Sequence, residues 1–301
     1  MIMSTLVTGG AGFIGSNLVE ALLQAGEDVV VLDNMHTGSV ENLTGLEGRL
    51  KLITGSCNDL SRMDLSPERI YHLGIPSSSP MYKRNPYLVG EAINGFASVF
   101  ELARRSGSRV IYASSSSLYN GLPPPHREDM DILVTDYYTE ARLAMERMAQ
   151  LYQRLYGISS VGLRFFSVYG PREGAKKQYA NMVTQFLWEM MAGRRPLVYG
   201  DGTQSRDFTY VQDVVRAMRL AMDSEYHGIL NVGTGRAWSF NEVIELLNQK
   251  VGRSLEAQYI ENPIKNYVMH TCADTAKAEK TIKFRSRFGL REGIEEMIRF
   301  Y

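Results

Sequence analysis

Thr8-Gly9-Gly10-Ala11-Gly12-Phe13-Ile14-Gly15 decides the reading of this chain, because the apolar run Thr5-Leu6-Val7 precedes it and the amphipathic segment Phe13 to Gln24 follows it. Strand, glycine turn and helix in that order open a βαβ unit. Backbone N–H groups at a helix N-terminus carry partial positive charge and lack intrahelical partners, so a pyrophosphate can settle there if no side chain intervenes. Gly9 makes the turn, Gly12 lets the backbone approach the phosphates, and Gly15 lets the helix pack close to its strand. Phe13 and Ile14 open that helix and belong to the same anion-binding end. A second run, Asp28-Val29-Val30-Val31-Leu32, ends at Asp33-Asn34. An acid at this distance from the loop meets the ribose hydroxyls of a dinucleotide, and it repels a 2′-phosphate, which selects NAD over NADP.

Further strands follow at Leu50–Thr54, leading toward Asp59-Leu60, then at Arg69–Leu73, Arg109–Ala113 and Ser160–Arg164. Between them a helix from Pro86 to Arg105 carries an apolar stripe at Ala92, Phe96, Val99, Phe100 and Ala103, and another begins near Thr135. Apolar strands alternating with amphipathic helices predict an α/β, doubly wound parallel sheet of the Rossmann type. His72, inside a strand, reads as a buried structural residue. After the sixth strand the alternation breaks. Tyr179–Ala192 reads as a helix, Pro196–Tyr199 and Ile229–Gly233 as short strands, Ser239-Phe240-Asn241-Glu242 as a capping box, and Leu290–Phe300 as a closing helix. The expected division is a dinucleotide-binding domain over 1–170, rejoined by parts of 200–235, and a smaller α/β substrate-binding domain over 171–301.

Composition narrows the function. The 301 residues carry 33 Lys plus Arg against 33 Asp plus Glu, so the basic footprint of a nucleic-acid binder is missing. Cys57 and Cys272 lack disulfide or zinc spacing, which fits a reducing, cytoplasmic compartment. The five histidines form no His-Glu-x-x-His or similar ligand pair, so no metal is expected. The first strand starts within a few residues of the N-terminus and no run is long and apolar enough to span a bilayer, so a soluble protein is expected.

Three segments carry chemistry. The fifth strand delivers Ser114-Ser115-Ser116-Ser117-Leu118-Tyr119 to the carboxyl end of the sheet, where open α/β sheets place their ligands. Asp136-Tyr137-Tyr138-Thr139-Glu140-Ala141-Arg142 opens a helix. A tyrosine is a poor base near neutral pH unless a neighbouring cation favours the phenolate, and residues four apart share a helix face. Tyr138 and Arg142 meet that condition, whereas Tyr137 pairs with Ala141. Ser205-Arg206-Asp207-Phe208 places a guanidinium, whose forked donors match diphosphate oxygens; a salt bridge from Arg206 to Asp201 or Asp207 is the alternative.

Together with the Gly-x-x-Gly-x-x-Gly spacing of the first loop, these segments resemble the extended short-chain dehydrogenase/reductase family, in its nucleotide-sugar epimerase and dehydratase group. Tyr138 and Arg142, continued by Leu143-Ala144-Met145-Glu146, are similar to that family's Tyr-x-x-x-Lys-Leu-Ala-x-Glu, with Arg142 standing where lysine is usual. The resemblance implies a catalytic set of Tyr138, Ser115 and Arg142. Ser115 would hold the reacting sugar oxygen, and Tyr138 and Arg142 would also contact the NAD. Asp59 and Leu60 would contact the adenine, although Asp59 could equally cap a helix. Ser167 replaces the asparagine that touches the substrate's nucleotide, and Arg206 would clamp the diphosphate. The usual second phosphate-binding arginine is missing, and Lys265 is the candidate to replace it.

The activity this implies is 4-epimerisation of a nucleotide sugar, a UDP-hexose of the glucose/galactose type. Tyr138 would take the proton of the 4-hydroxyl while hydride passes to tightly held NAD, and the sugar would turn before hydride returns. A glucuronate/galacturonate pair is the alternative substrate. A 4,6-dehydratase or a decarboxylase is the alternative reaction, but the acids that those enzymes carry are here Ser116 and Ser117. A dinucleotide-binding sensor without catalysis is the alternative of another class. The resemblance also implies a homodimer through the helices around 90–105 and 135–157.

Overall fold

The computed structural model of the chain describes residues 4–264 and 267–301. In the first half, β1 (Ser4–Thr8), α1 (Phe13–Gln24), β2 (Asp28–Asp33), β3 (Leu50–Thr54) and β4 (Arg69–His72) are followed by α2 (Ser79–Arg84), α3 (Leu88–Ser106), β5 (Arg109–Ser115), α4 (Tyr137–Tyr156) and β6 (Ser160–Phe165). The rest contains β7 (Val168–Tyr169), α5 (Met182–Met191), β8 (Leu197–Tyr199), β9 (Ser205–Arg206), β10 (Thr209–Tyr210), α6 (Val211–Met222) and β11 (Gly228–Val232). It ends with β12 (Trp238–Ser239), α7 (Phe240–Val251), β13 (Gln258–Ile260), α8 (Ala276–Ile282) and α9 (Leu290–Phe300).

Seven strands form one sheet in the order β11-β6-β5-β4-β1-β2-β3, and every pairing is parallel. The apolar runs explain why: parallel strands covered by helices on both faces need side chains that tolerate burial either way. On one face Leu18 and Leu22 of α1 pack with Met218 of α6 and Ile282 of α8. On the other, Phe96, Val99 and Phe100 of α3 pack with Met145 and Ala149 of α4. Both long helices end on a left-handed glycine, Gly107 (φ 72°) after α3 and Gly157 (φ 69°) after α4, a conformation that a side chain would strain. A separate core gathers Phe186 and Leu187 of α5, Val243 and Leu247 of α7, and Ile294 and Met297 of α9. The chain crosses between the two cores repeatedly, since α6, β11 and α8 return to the sheet.

Two stretches differ from the sequence reading. The serine-rich stretch after β4 contains a helix, α2, which Pro80 starts in its first turn. The helix expected over Tyr179–Ala192 begins only at Met182, because Asn181 caps it by accepting the Val183 N–H. Among the described residues no helix is long and apolar enough to cross a membrane.

Candidate active site

β1 has β2 on one side and β4 on the other, so the chain leaves it toward opposite edges, and a crevice opens beyond the carboxyl ends of the strands. A cleft of ≈ 340 Å³ occupies that place. The glycine loop forms its floor. Gly9 has φ 69°, and a Cβ there would stand 2.7 Å from the Gly74 nitrogen; a Cβ on Gly15 would stand 2.0 Å from the Gly9 carbonyl. No side chain caps α1 and no acid sits in its first turn. Phe13 and Ile14 line the cleft beside Gly9, Gly12 and Gly15.

Asp33 and Asn34 also line it. One Asp33 oxygen accepts the Ala11 N–H at 3.0 Å and the other accepts the Met35 N–H at 2.8 Å, so the loop itself orients the carboxylate. Asp59 and Leu60 are not among the residues that line the cleft. Leu60 is fully buried in the core and the Asp59 carboxylate lies 3.8 Å from Arg62. Ser56, Cys57 and Asn58 line the cleft instead, because the short helical turn after β3 starts at Cys57 and carries the later residues past the opening. Burial pushes the Cys57 thiol up to about 12, which leaves it protonated and unreactive.

All four serines from Ser114 to Ser117 line the cleft. The Ser115 hydroxyl caps the turn after β5 by accepting the Ser117 N–H at 3.1 Å. Ser114 donates to Glu146 at 2.6 Å, and Glu146 holds Arg164 through two bonds of 2.9 and 2.7 Å. Arg164 donates to the Tyr119 hydroxyl, which donates to Asn231 of β11. This buried chain of contacts ties the serine turn to α4, β6 and β11.

Exposure settles which tyrosine faces inward. Tyr138 is 7% exposed and lines the cleft, whereas Tyr137 is 52% exposed. Asp136 caps α4 by accepting the Thr139 N–H, and it also accepts from Ser79 of α2. Arg142 is buried along the cleft and donates to the Pro76 and Ala113 carbonyls. Behind it lies His72, fully buried, its Nδ1 2.8 Å from the Thr8 hydroxyl. Burial, with the Arg142 charge adding to it, pushes His72 down to about 3.

Ser167 lines the cleft in a left-handed conformation, φ 29°, and its carbonyl accepts the Thr209 N–H at 3.3 Å. Arg206 lies outside the residues that line the cleft. It is half-buried, stacks on Phe240 and Tyr267, and donates to the carbonyls of Ser205, Val268 and Met269. Its alternative partner, Asp207, is buried and accepts from Thr234, Gly235 and Ala273 instead. Lys265 lies outside the described residues. The sequence reading passed over Lys176, Tyr179 and Asn181, which the structure brings to the cleft wall; the Asn181 capping position before α5 was the legible signal.

The residues present fit a dinucleotide. A Cβ would fill the glycine cradle, α1 offers uncapped N–H groups to an anion, and Asp33 offers oriented carboxylate oxygens. Residues 5–233 match the NAD dependent epimerase/dehydratase family. The chain is 31% identical over 303 residues to a putative UDP-glucose 4-epimerase of Methanocaldococcus jannaschii, covering 97% of this chain and 96% of that protein. It is 32% identical over 305 residues to UDP-glucuronic acid decarboxylase 6 of Arabidopsis thaliana, covering 98% and 88%. The solved UDP-glucose 4-epimerase of Thermotoga maritima with UDP-glucose superposes with a TM-score of 0.93 at 30% identity, covering 99% of this chain and 98% of that one.

Proposed function

The chain belongs to the NAD-dependent epimerase/dehydratase family, and from that premise we propose that it is a nucleotide-sugar 4-epimerase acting on a UDP-hexose, glucose/galactose first. The serine turn carries this reading. Ser115 and Tyr138 line one cleft, and the carboxylates lining it, among the described residues, are Asp33 and Glu91. Neither lies on the turn, where a dehydratase or decarboxylase of this family carries its extra acid.

NAD, when bound, supplies the reversible oxidation at C4 of the sugar. Tyr138 takes the proton from the 4-hydroxyl and later gives it back, which is general base and then general acid catalysis. Ser115 holds the same oxygen. Arg142 keeps a positive charge against the tyrosine ring. Gly9, Gly12, Phe13, Ile14, Gly15, Asp33 and Asn34 hold the cofactor, and Ser167 meets the nucleotide of the substrate. Arg206 grips the diphosphate by exchanging carbonyl partners for phosphate oxygens. Among the described residues no carboxylate lies within ion-pair distance of it to compete. Lys265 is proposed as a further cation there.

The likeness to a glucuronic acid decarboxylase favours a uronate substrate as the second reading. Incubating the purified protein with UDP-glucose, UDP-galactose and UDP-glucuronate, without added NAD, and separating the products tests both. Inversion at C4 of UDP-glucose or UDP-galactose supports the proposal, whereas inversion of UDP-glucuronate alone, or release of carbon dioxide from it, would replace it with the second reading. NAD binding without turnover of any nucleotide sugar would favour the sensor.

A homodimer through α3 and α4 is part of the proposal. On α4, Tyr137, Leu151, Leu155 and Tyr156 are all more than half exposed, although their apolar surface would ordinarily be covered. Sedimentation at micromolar concentration should give twice the chain mass, and a monomer would contradict this. The two cysteines are free, in keeping with a reducing, cytoplasmic compartment.

A further inference from the structure

We propose that Lys176 is a cation for the diphosphate of the cofactor, brought to the glycine loop by a strap from the other half of the molecule; this rests on the NAD reading above. The strap, residues 171–176, is fastened onto α1. Asn17 donates to the Pro171 carbonyl at 3.1 Å, and Arg172, itself left-handed at φ 72°, donates to Glu20 at 2.7 Å. Asn42 adds a bond of 3.4 Å to the Arg172 carbonyl.

Glu173 then fixes the lysine. Its carboxylate is fully buried and accepts from the Lys176 ammonium at 3.0 Å, from the Asn181 N–H at 3.1 Å and from the Thr184 hydroxyl. The ammonium lies 5.2 Å from the centre of the Phe13 ring, and Phe13 is the first residue of α1. Lys176 lines the cleft together with Gly9, Gly12 and Gly15.

This placement is electrostatically odd without a ligand. The N-terminus of a helix is its positive end, α1 has neither an acid in its first turn nor a side-chain cap, and a lysine held beside it meets charge of its own sign. Glu173 offsets one charge, and a diphosphate between the helix and the lysine turns the remaining repulsion into attraction. An ammonium has three donors, and Glu173 uses one, which leaves two for phosphate oxygens. The substrate also carries a diphosphate. The position of the ammonium beside Phe13, the first residue of α1, favours that of the cofactor.

The test uses the whole protein stripped of nucleotide, with NAD and UDP titrated separately into wild type, Lys176→Met and Lys176→Arg. Methionine keeps the apolar stem over Phe13 and removes the charge. Lys176→Met should bind NAD about 10- to 100-fold more weakly, the range for hydrogen bonds to a charged group. Lys176→Arg should stay close to wild type, and UDP affinity should not change. A fall in UDP affinity with unchanged NAD affinity would move the lysine to the substrate and overturn the proposal, as would unchanged affinity for both. Should Lys176→Met fail to fold, the wild-type affinity for NAD must fall more steeply with salt than that of Lys176→Gln, and equal slopes would overturn the proposal. Wild-type protein that binds no NAD would remove the functional reading itself, a result separate from these.

Discussion

The Arg142 guanidinium carbon lies 4.7 Å from the centre of the Tyr138 ring, one helical turn along α4. The same group donates to Pro76, just beyond β4, at 3.0 Å and to Ala113 of β5 at 3.4 Å. One cation thus joins the candidate base to the ends of two sheet strands. Its planar fork spans two carbonyls while its face lies on the ring, a combination that a point-like ammonium cannot reproduce in full.

Tyr138→Phe should lower turnover by about 100- to 10,000-fold, the span ascribed to one positioned acid or base. Tyr137→Phe should be near wild type, because Tyr137 is 52% exposed and faces away. Arg142→Lys should keep a substantial share of the activity and Arg142→Ala should lose it. Steady-state rates on the active nucleotide sugar decide the matter, and a fully active Tyr138→Phe would remove the catalytic assignment.

The sheet was legible from the first loop onward, because parallel strands buried on both faces leave continuous apolar runs and the loop dictates the crossover. The inward tyrosine was legible too, since only Tyr138 has a cation four residues on. The adenine side was not. Asp59 resembled a ligand, whereas Ser56, Cys57 and Asn58 line the cleft at a short helical turn over Cys57–Arg62, and no periodic pattern announces such a turn. Lys176 was invisible for a different reason: its position depends on a strap held by Asn17, Glu20 and Asn42, residues far away in sequence. Glu146 counted in the sequence only as part of a pattern. Its bidentate bond to Arg164 in the core gives the physical reason, since removing one partner of a buried ion pair costs about 3–5 kcal/mol.

NAD should bind more tightly than NADP, because Asp33 lines the cleft and a 2′-phosphate would meet its carboxylate. Asp33→Asn should narrow the difference while keeping an acceptor for one of the two N–H groups that Asp33 holds. Parallel titrations of both cofactors check this, and a preference for NADP in the wild type would contradict it.

Stability should fall on acidification through His72. Burial, aided by Arg142, sets its folded value at about 3 against 6.5 in the unfolded chain, so below 6.5 the unfolded chain binds a proton that the native state does not. The contribution is therefore complete above about pH 6.5 and declines as the pH drops toward about 3, with a loss of about 2 kcal/mol by about pH 5. His126, also lowered by burial, acts in the same direction. Urea unfolding at pH 7 and pH 5 should show a smaller difference for His72→Asn than for wild type; an equal difference would place the pH dependence elsewhere.

The central claim is that this cleft oxidises and re-reduces one sugar carbon without net consumption of cofactor. Supplying UDP-galactose labelled with deuterium at C4, with no added NAD, tests it most directly. The account predicts UDP-glucose that retains the deuterium at C4, because the hydrogen removed from that carbon returns to it within the closed site. Label lost to water, or a product that has lost the 6-hydroxyl instead of inverting C4, would contradict it.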